Sequence, residues 1–87
     1  MRAKMRVSGV VVTKRPSTEV VIYEKLLFSA VSKNAGYDED GLDENNTFAK
    51  WTPQAELTVT VTNPALFGQF ESGQEYYVDF TKVEKPE

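Results

Sequence analysis

The stretch Glu56–Phe80, ELTVTVTNPALFGQFESGQEYYVDF, decides the fold class. Leu57, Val59 and Val61 alternate with Thr58, Thr60 and Thr62, the period-two pattern of a strand with one buried face. Threonine is β-branched and suits the outer, half-solvated side of such a strand. Asn63-Pro64 stops it, because proline cannot donate to a ladder and asparagine is a good N-cap for a helical turn over Ala65, Leu66 and Phe67. Gly68 is placed to end that turn in a left-handed conformation, and Glu71-Ser72-Gly73-Gln74 is turn chemistry. Tyr76, Val78 and Phe80 then alternate with Tyr77, Asp79 and Thr81 in a second strand, so that Tyr76 reads as a core ring and Tyr77 as a surface ring.

Upstream, Met5 to Thr13 reads as a strand with Gly9 as a bulge or close-approach point. The polar stretch Lys14-Arg15-Pro16-Ser17-Thr18 suits a hairpin loop. Glu19 to about Val31 reads as the next strand, but apolar residues fall on both of its faces: Val20, Ile22, Leu26, Phe28 and Ala30 on one, Val21, Tyr23, Leu27 and Val31 on the other. Either that strand changes partners near Glu24-Lys25, or its outer face is covered by another subunit. Lys33 to Asn46 is an acidic loop, functional or disordered at such a length. Phe48 to Trp51 reads as a short strand ended by Thr52-Pro53. The sum is an all-β chain with one short helical turn: a small five-stranded barrel-like domain, or an OB- or SH3-like meander, over residues 1–83 with a frayed tail at 84–87.

With 87 residues the chain is one small domain, burying only ~60–65% of its unfolded surface. It has neither cysteine nor histidine, which removes disulfides, thiolate nucleophiles, the usual zinc sites and Ser-His or Cys-His catalysis. No apolar run approaches a membrane span, and MRAKMRVSGVVV lacks a small-residue cleavage site, so a reducing cytoplasm is the expected compartment. The net charge of −3 is unevenly spread. Residues 1–33 hold seven bases against two acids, and residues 34–87 hold three bases against eleven acids. Such a split can steer an anion to one face, can join the basic edge of one subunit to the acidic loop of another, or can simply be solvated.

Motifs with specific chemistry fail on their residues. Gly36 to Gly41 has the glycine spacing of a phosphate loop, but Leu42 and Asp43 stand where lysine and serine or threonine are needed. With Gly41 set at the sixth position of a calcium loop, Gly36 and Thr47 occupy positions that require carboxylates. Asp38, Asp40, Asp43 and Glu44 leave room at most for an irregular, weak divalent site, set against solvated acids that keep a loop soluble, so no metal or cofactor is expected. These acids also lack an apolar pocket to raise a pKa, so no catalytic residue is expected. Asn45-Asn46-Thr47 is a sequon by composition only.

The segments KMRVSGV (4–10), FAKWTPQAELTVTVTNPA (48–65) and FESGQEYYVDFT (70–81) resemble a group of small, uncharacterised phage-encoded proteins of similar length. That group shares the order of a basic first strand, a phenylalanine-led segment into Thr-Pro, then Asn-Pro, then glycine before Tyr-Tyr. The resemblance covers about two thirds of the chain, and the loop over 34–46 is longer than the group leads one to expect. It implies a phage origin and expression in the bacterial cytoplasm, and it assigns no functional residue.

The expected activity is therefore non-enzymatic binding by a homo-oligomer. Trp51 beside Lys50, with Tyr77 and the bases Lys14, Arg15 and Lys25, is the combination that single-stranded nucleic-acid binders use for stacking and phosphate contact. A small signalling nucleotide captured at a subunit interface, depriving a host defence of its signal, would use the same groups. Against this, Trp51 and Phe48 can equally plug the core, and an acidic chain is a poor nonspecific nucleic-acid binder. The alternatives are a structural virion or assembly protein, and an inhibitor of a host protein acting through the acidic loop.

Overall fold

A computed structural model describes residues 1–32, 41–42, 45–50 and 53–84. Among these lie four strands, β1 (Arg2–Lys14), β2 (Val21–Ala30), β3 (Glu56–Val61) and β4 (Glu75–Asp79), and one 3-10 turn, Pro64–Leu66. They form a single antiparallel sheet in the order β3-β2-β1-β4. The all-β reading holds, and the closed five-stranded barrel does not. The β1–β2 hairpin fills the middle of the sheet, so β3 and β4 sit on opposite edges and never meet to close it. Of the strand expected at Phe48–Trp51, the described residues 48–50 do not join the sheet either. An Ala49 N–H to Asn46 C=O bond of 3.1 Å turns the chain there, and Lys50 forms only an isolated bridge with Leu42. Trp51 lies outside the described residues.

The hairpin forms where Pro16 and Ser17 reverse the chain. Arg15 N–H donates to Val20 C=O at 2.8 Å and Thr18 N–H to Arg15 C=O at 3.2 Å, with Ser17 at φ 62°. The register shifts between Val7 and Gly9, so the anticipated bulge is present, and a Cβ at Gly9 would lie 3.5 Å from Leu27 Cδ1. On the far edges the sequence signals act as read. Asn63 Oδ1 caps the 3-10 turn by accepting from Ala65 N–H at 3.1 Å, Pro64 opens it, and Gly68 at φ 79° follows it. Gly73, at φ 95°, supplies the turn into β4.

Paired residues in an antiparallel ladder share a face. One face therefore carries Ala3, Met5 and Val7 of β1, Leu26 and Phe28 of β2, Leu57, Val59 and Val61 of β3, and Tyr76 and Val78 of β4. The connection from β3 to β4 crosses this face from edge to edge. Phe67 and Phe70 pack down from it, and Phe28, Phe70 and Tyr76 form a ring cluster with centroids 5.2–6.3 Å apart. Gly68 N–H donates to both oxygens of buried Glu24, at 3.2 and 3.1 Å, tying the crossing chain to β2. Among the described residues the buried hydrophobic core is small: Ala3, Met5, Val7, Leu26, Phe28 and Val61.

A buried asparagine completes the sheet where β2 runs out. Asn46, with no exposed surface, accepts from Lys4 N–H at 2.9 Å and donates to Val31 C=O at 2.8 Å. Thr47 adds an N–H to Arg2 C=O bond of 2.9 Å and accepts from Arg2 N–H at 2.8 Å through Oγ1. Residues 46–47 thus take the place of β2 beside the start of β1.

Among the described residues the opposite face of the sheet carries no second layer. It carries Arg2, Lys4 and Arg6 of β1, Tyr23, Lys25, Leu27 and Ser29 of β2, Glu56, Thr58 and Thr60 of β3, and Glu75, Tyr77 and Asp79 of β4. β3 pairs with β2 no nearer the hairpin tip than Glu24, and the bonds between β1 and the chain entering β4 end at Val7. Beyond those points the hairpin continues as a two-stranded ribbon: β2 keeps β1 as its partner from Val21 to Ala30 and gains β3 from Glu24 onward, so it does not exchange partners near Glu24-Lys25. The radius of gyration is 16.3 Å and the extents are 56 × 36 × 16 Å, against about 12 Å for a compact chain of this length.

Candidate functional site

Residues at period two on β1 and β4 meet on the bare face because those strands are neighbours. Arg2, Lys4 and Arg6 stand opposite Asp79, Tyr77 and Glu75. Arg2 Nε donates to Asp79 Oδ1 at 2.8 Å, and Arg6 donates to Glu75 Oε2 at 2.6 Å through Nη2 and 3.2 Å through Nε. Lys4 Nζ lies 3.4 Å from the other Glu75 oxygen. The Arg2 guanidinium also sits 4.7 Å from the Tyr77 ring centroid, and the Tyr77 hydroxyl donates to Asn45 Oδ1 at 2.9 Å.

The electrostatics follow. Chiefly through the Arg6 hydrogen bond, with Lys4 adding to it and partial desolvation opposing it, Glu75 is held below the ordinary carboxylate range. The Arg2 pKa is raised, first by its hydrogen bond to Asp79. Part of the charge split seen along the chain is therefore resolved within one molecule, through Asp79 and Glu75. These pairs are well formed but exposed, so they orient the strands more than they stabilise them.

The expected binding residues do not converge. Lys14 and Arg15 lie at the hairpin tip, where Lys14 Nζ is 2.7 Å from Glu19 Oε2. Tyr77 pairs with Lys4 near the other end of β1, roughly 35 Å from Arg15 along the strand at ~3.3 Å per residue. Lys25, opposite Val11, shares the bare face with Tyr77 but lies about 20 Å along it by the same measure. Lys50 is exposed at its bridge to Leu42, and Trp51 lies outside the described residues, as do residues 33–40 and 43–44 of the acidic loop. The residues that do converge are Arg2, Lys4, Arg6, Glu75, Tyr77 and Asp79. Their period-two spacing is readable in the sequence, and only the adjacency of β1 and β4 is not.

Two concavities among the described residues offer a nucleotide little. An apolar cleft of about 160 Å³ on the covered face is lined by Met1, Ala3, Met5, Phe48, Leu57 and Phe80, smaller than the ~300–1,000 Å³ of ordinary ligand pockets. A wider depression of about 520 Å³ between Ser29-Ala30 and Pro53–Glu56 is lined by neither a cation nor a ring.

More surface is open to a partner than to a small ligand. Val11 and Val12 of β1, and Val20 and Ile22 across the ribbon, are exposed, as are Val59 on one edge and Phe80 and Val83 beyond the other. No helix among the described residues is long and apolar enough to cross a membrane. No family model, curated protein or solved structure matches the chain, and the likeness to small phage proteins rests on the residues quoted for it.

Proposed function

We propose that the chain is a non-enzymatic, self-associating protein with a structural or assembly role, its sheet completed by other copies of itself. The observation that carries this reading is a sheet that the described residues leave half built: they put no second layer on one face and no further strand on either edge, and an apolar ribbon projects beyond its neighbours. A domain with so small a core leaves apolar surface that association would remove from water, at about 25 cal/mol per Å². The absence of histidine and cysteine from the sequence supports a role without catalysis. If the phage resemblance is a true kinship, the assembly belongs to a virion or to its construction in the bacterial cytoplasm.

A second reading, capture of single-stranded DNA or a small nucleotide, draws on Tyr23, Lys25 and Tyr77 sharing the bare face. It is the weaker one, since Arg2, Lys4 and Arg6 are engaged by acids of the same chain and the remaining bases are spread along it. An OB- or SH3-like barrel, which would suit such a ligand, draws no support from strands β3 and β4 lying on opposite edges. Inhibition of a host protein would work through the acidic loop, most of which lies outside the described residues.

Native mass spectrometry of the protein alone, and mixed with oligo-dT and a panel of linear and cyclic nucleotides, tests the choice. The expected result is a defined oligomer that retains none of them. A monomer at high micromolar concentration would remove the assembly reading, and a retained strand or nucleotide would replace it with the second.

A further inference from the structure

Among the described residues no strand pairs with the outer edge of β3 or of β4, and these two edges differ in what they can accept. The Ala30 N–H to Ala55 C=O bond fixes the phase of the β2–β3 ladder. By alternation, Leu57, Val59 and Val61 direct their backbone groups toward β2, and Thr58 and Thr60 direct theirs outward. The outer edge of β3 is thus a run of Leu-Thr-Val-Thr-Val with no charge, proline or bulge after Glu56. Natural edges are usually blunted by such devices. On β4 the bonds Val7 N–H to Gln74 C=O and Phe80 N–H to Met1 C=O set the opposite phase. Its outward residues are Glu75, Tyr77 and Asp79, two of them acidic.

We infer that β3 pairs antiparallel with β3 of a second copy about a twofold axis at Val59, joining two sheets into one of eight strands. The inference rests on the assembly reading and names its interface. Its warrant is self-complementarity. About Val59, Thr58 of one copy meets Thr60 of the other as a hydrogen-bonded pair, Leu57 meets Val61 on the covered face, and Val59, now 37% exposed, meets its own counterpart. Glu56 falls opposite Thr62, so no like charges oppose. The same operation on β4 about Tyr77 sets Glu75 of one copy against Asp79 of the other, a destabilising pair. Pairing of β3 with β4 of another copy would be head-to-tail and would build a ring or a filament in place of a twofold dimer.

The chain has no cysteine, which makes a directed cross-link unambiguous. In Val59→Cys the two thiols face each other at a non-hydrogen-bonded pair, with Cα atoms about 4.5 Å apart, inside disulfide range. Under mild oxidation this variant is expected to run almost wholly as a linked dimer on a non-reducing gel, and Tyr77→Cys, at the centre of the β4 edge, to stay mostly monomeric. Sedimentation velocity supplies a register-specific second test. The double variant T58K/T60K sets lysine against lysine across both symmetry-related pairs, and at least a tenfold weaker dimer is expected. The variant T58K/T60E sets opposite charges across the same pairs and should keep the dimer. If the wild type associates but Tyr77→Cys cross-links in place of Val59→Cys, or if rings or filaments form, the β3 interface is overturned while assembly stands. A wild type that sediments only as monomer overturns both.

Discussion

At its N-terminal end β1 has a neighbour on each side, and at its C-terminal end it has one. From Arg2 to Arg6 it lies between β4 and the 46–47 segment or β2, under the crossing chain, and Ala3, Met5 and Val7 are buried. From Val11 to Lys14 it pairs with β2 alone, and Val11 and Val12 remain exposed. Yet the buried end is the more charged one, Arg-Ala-Lys-Met-Arg-Val, and the exposed end, Val-Val-Thr-Lys, opens on two valines. Burial in this chain follows the number of neighbouring strands and not the hydrophobicity of the segment. The contrast locates the apolar surface that the molecule has not used: along the ribbon and the β3 edge.

The sharpest way to break that contrast is to delete matched apolar groups at each end. Phe28→Ala removes a ring that is 7% exposed and packs edge-on against Phe70 and Tyr76. It should cost on the order of 3–5 kcal/mol, enough to leave little folded protein in a domain this small. Ile22→Ala, on the ribbon and 43% exposed, should cost under about 1 kcal/mol at low protein concentration. Urea unfolding of the two variants side by side provides the check. Equal losses would mean that the ribbon is buried as deeply as the body, and a loss at Ile22 that grows with protein concentration would place that burial between copies.

Asn46→Ala is the next largest expected effect, and it attacks the closed end through hydrogen bonds in place of packing. It strands the Lys4 N–H and the Val31 C=O, both bonded by the Asn46 amide. About 3 kcal/mol should be lost, with faster amide exchange at Lys4. A loss below about 1 kcal/mol would mean that water replaces the side chain without difficulty.

How much of this was legible beforehand follows from the range of each interaction. Local geometry was readable: the Thr/Val alternation of β3, the Asn63-Pro64 stop and cap, the positive φ at Gly68 and Gly73, and the bulge before Gly9 all depend on a few adjacent residues. Strand order was not, because nothing in Glu75, Tyr77 and Asp79 says that Arg6, Lys4 and Arg2 lie beside them. The expected barrel failed on the same ground, together with a fifth strand read into residues 48–51. Phe48 is partly buried against the core as a plug, an outcome the sequence left open. Asn46 was read only as part of a chance sequon, since its role depends on β2 ending one residue before Val31.

Acid should weaken the closed end and leave the ribbon alone. Folding lowers the Glu75 pKa from its ordinary value of 4.5, so the folded state binds this proton less readily than the unfolded chain. The stability linked to Glu75 is therefore fully present above about pH 4.5 and is lost as pH falls through the lowered folded value. Glu75→Gln should lower the melting temperature modestly at neutral pH and make its acid limb shallower than that of the wild type. Parallel melting curves from about pH 6 to pH 3 would deny the Arg6–Glu75 pair any part in acid stability.

The smallest expected effect is also the one that asks whether the ribbon belongs to the same folding unit as the body. Ser17 holds φ 62° with Pro16 before it, and the Arg15 C=O accepts from Thr18 N–H at 3.2 Å. A type II turn asks for proline and then a residue at positive φ, for which glycine is better suited than serine. Ser17→Gly should relieve about 1 kcal/mol of left-handed strain and return part of it through the added freedom of the unfolded chain. A net gain of about 0.5 kcal/mol remains. If hairpin and body unfold together, the gain raises the melting temperature by a few degrees, as such a ΔΔG does in a domain of this size. If the ribbon opens by itself, the melting temperature stays fixed and only the amides of residues 10–23 exchange more slowly. The first outcome ties the exposed valines to the stability of the whole sheet. The second makes the ribbon an independently fraying arm that only a partner can hold still.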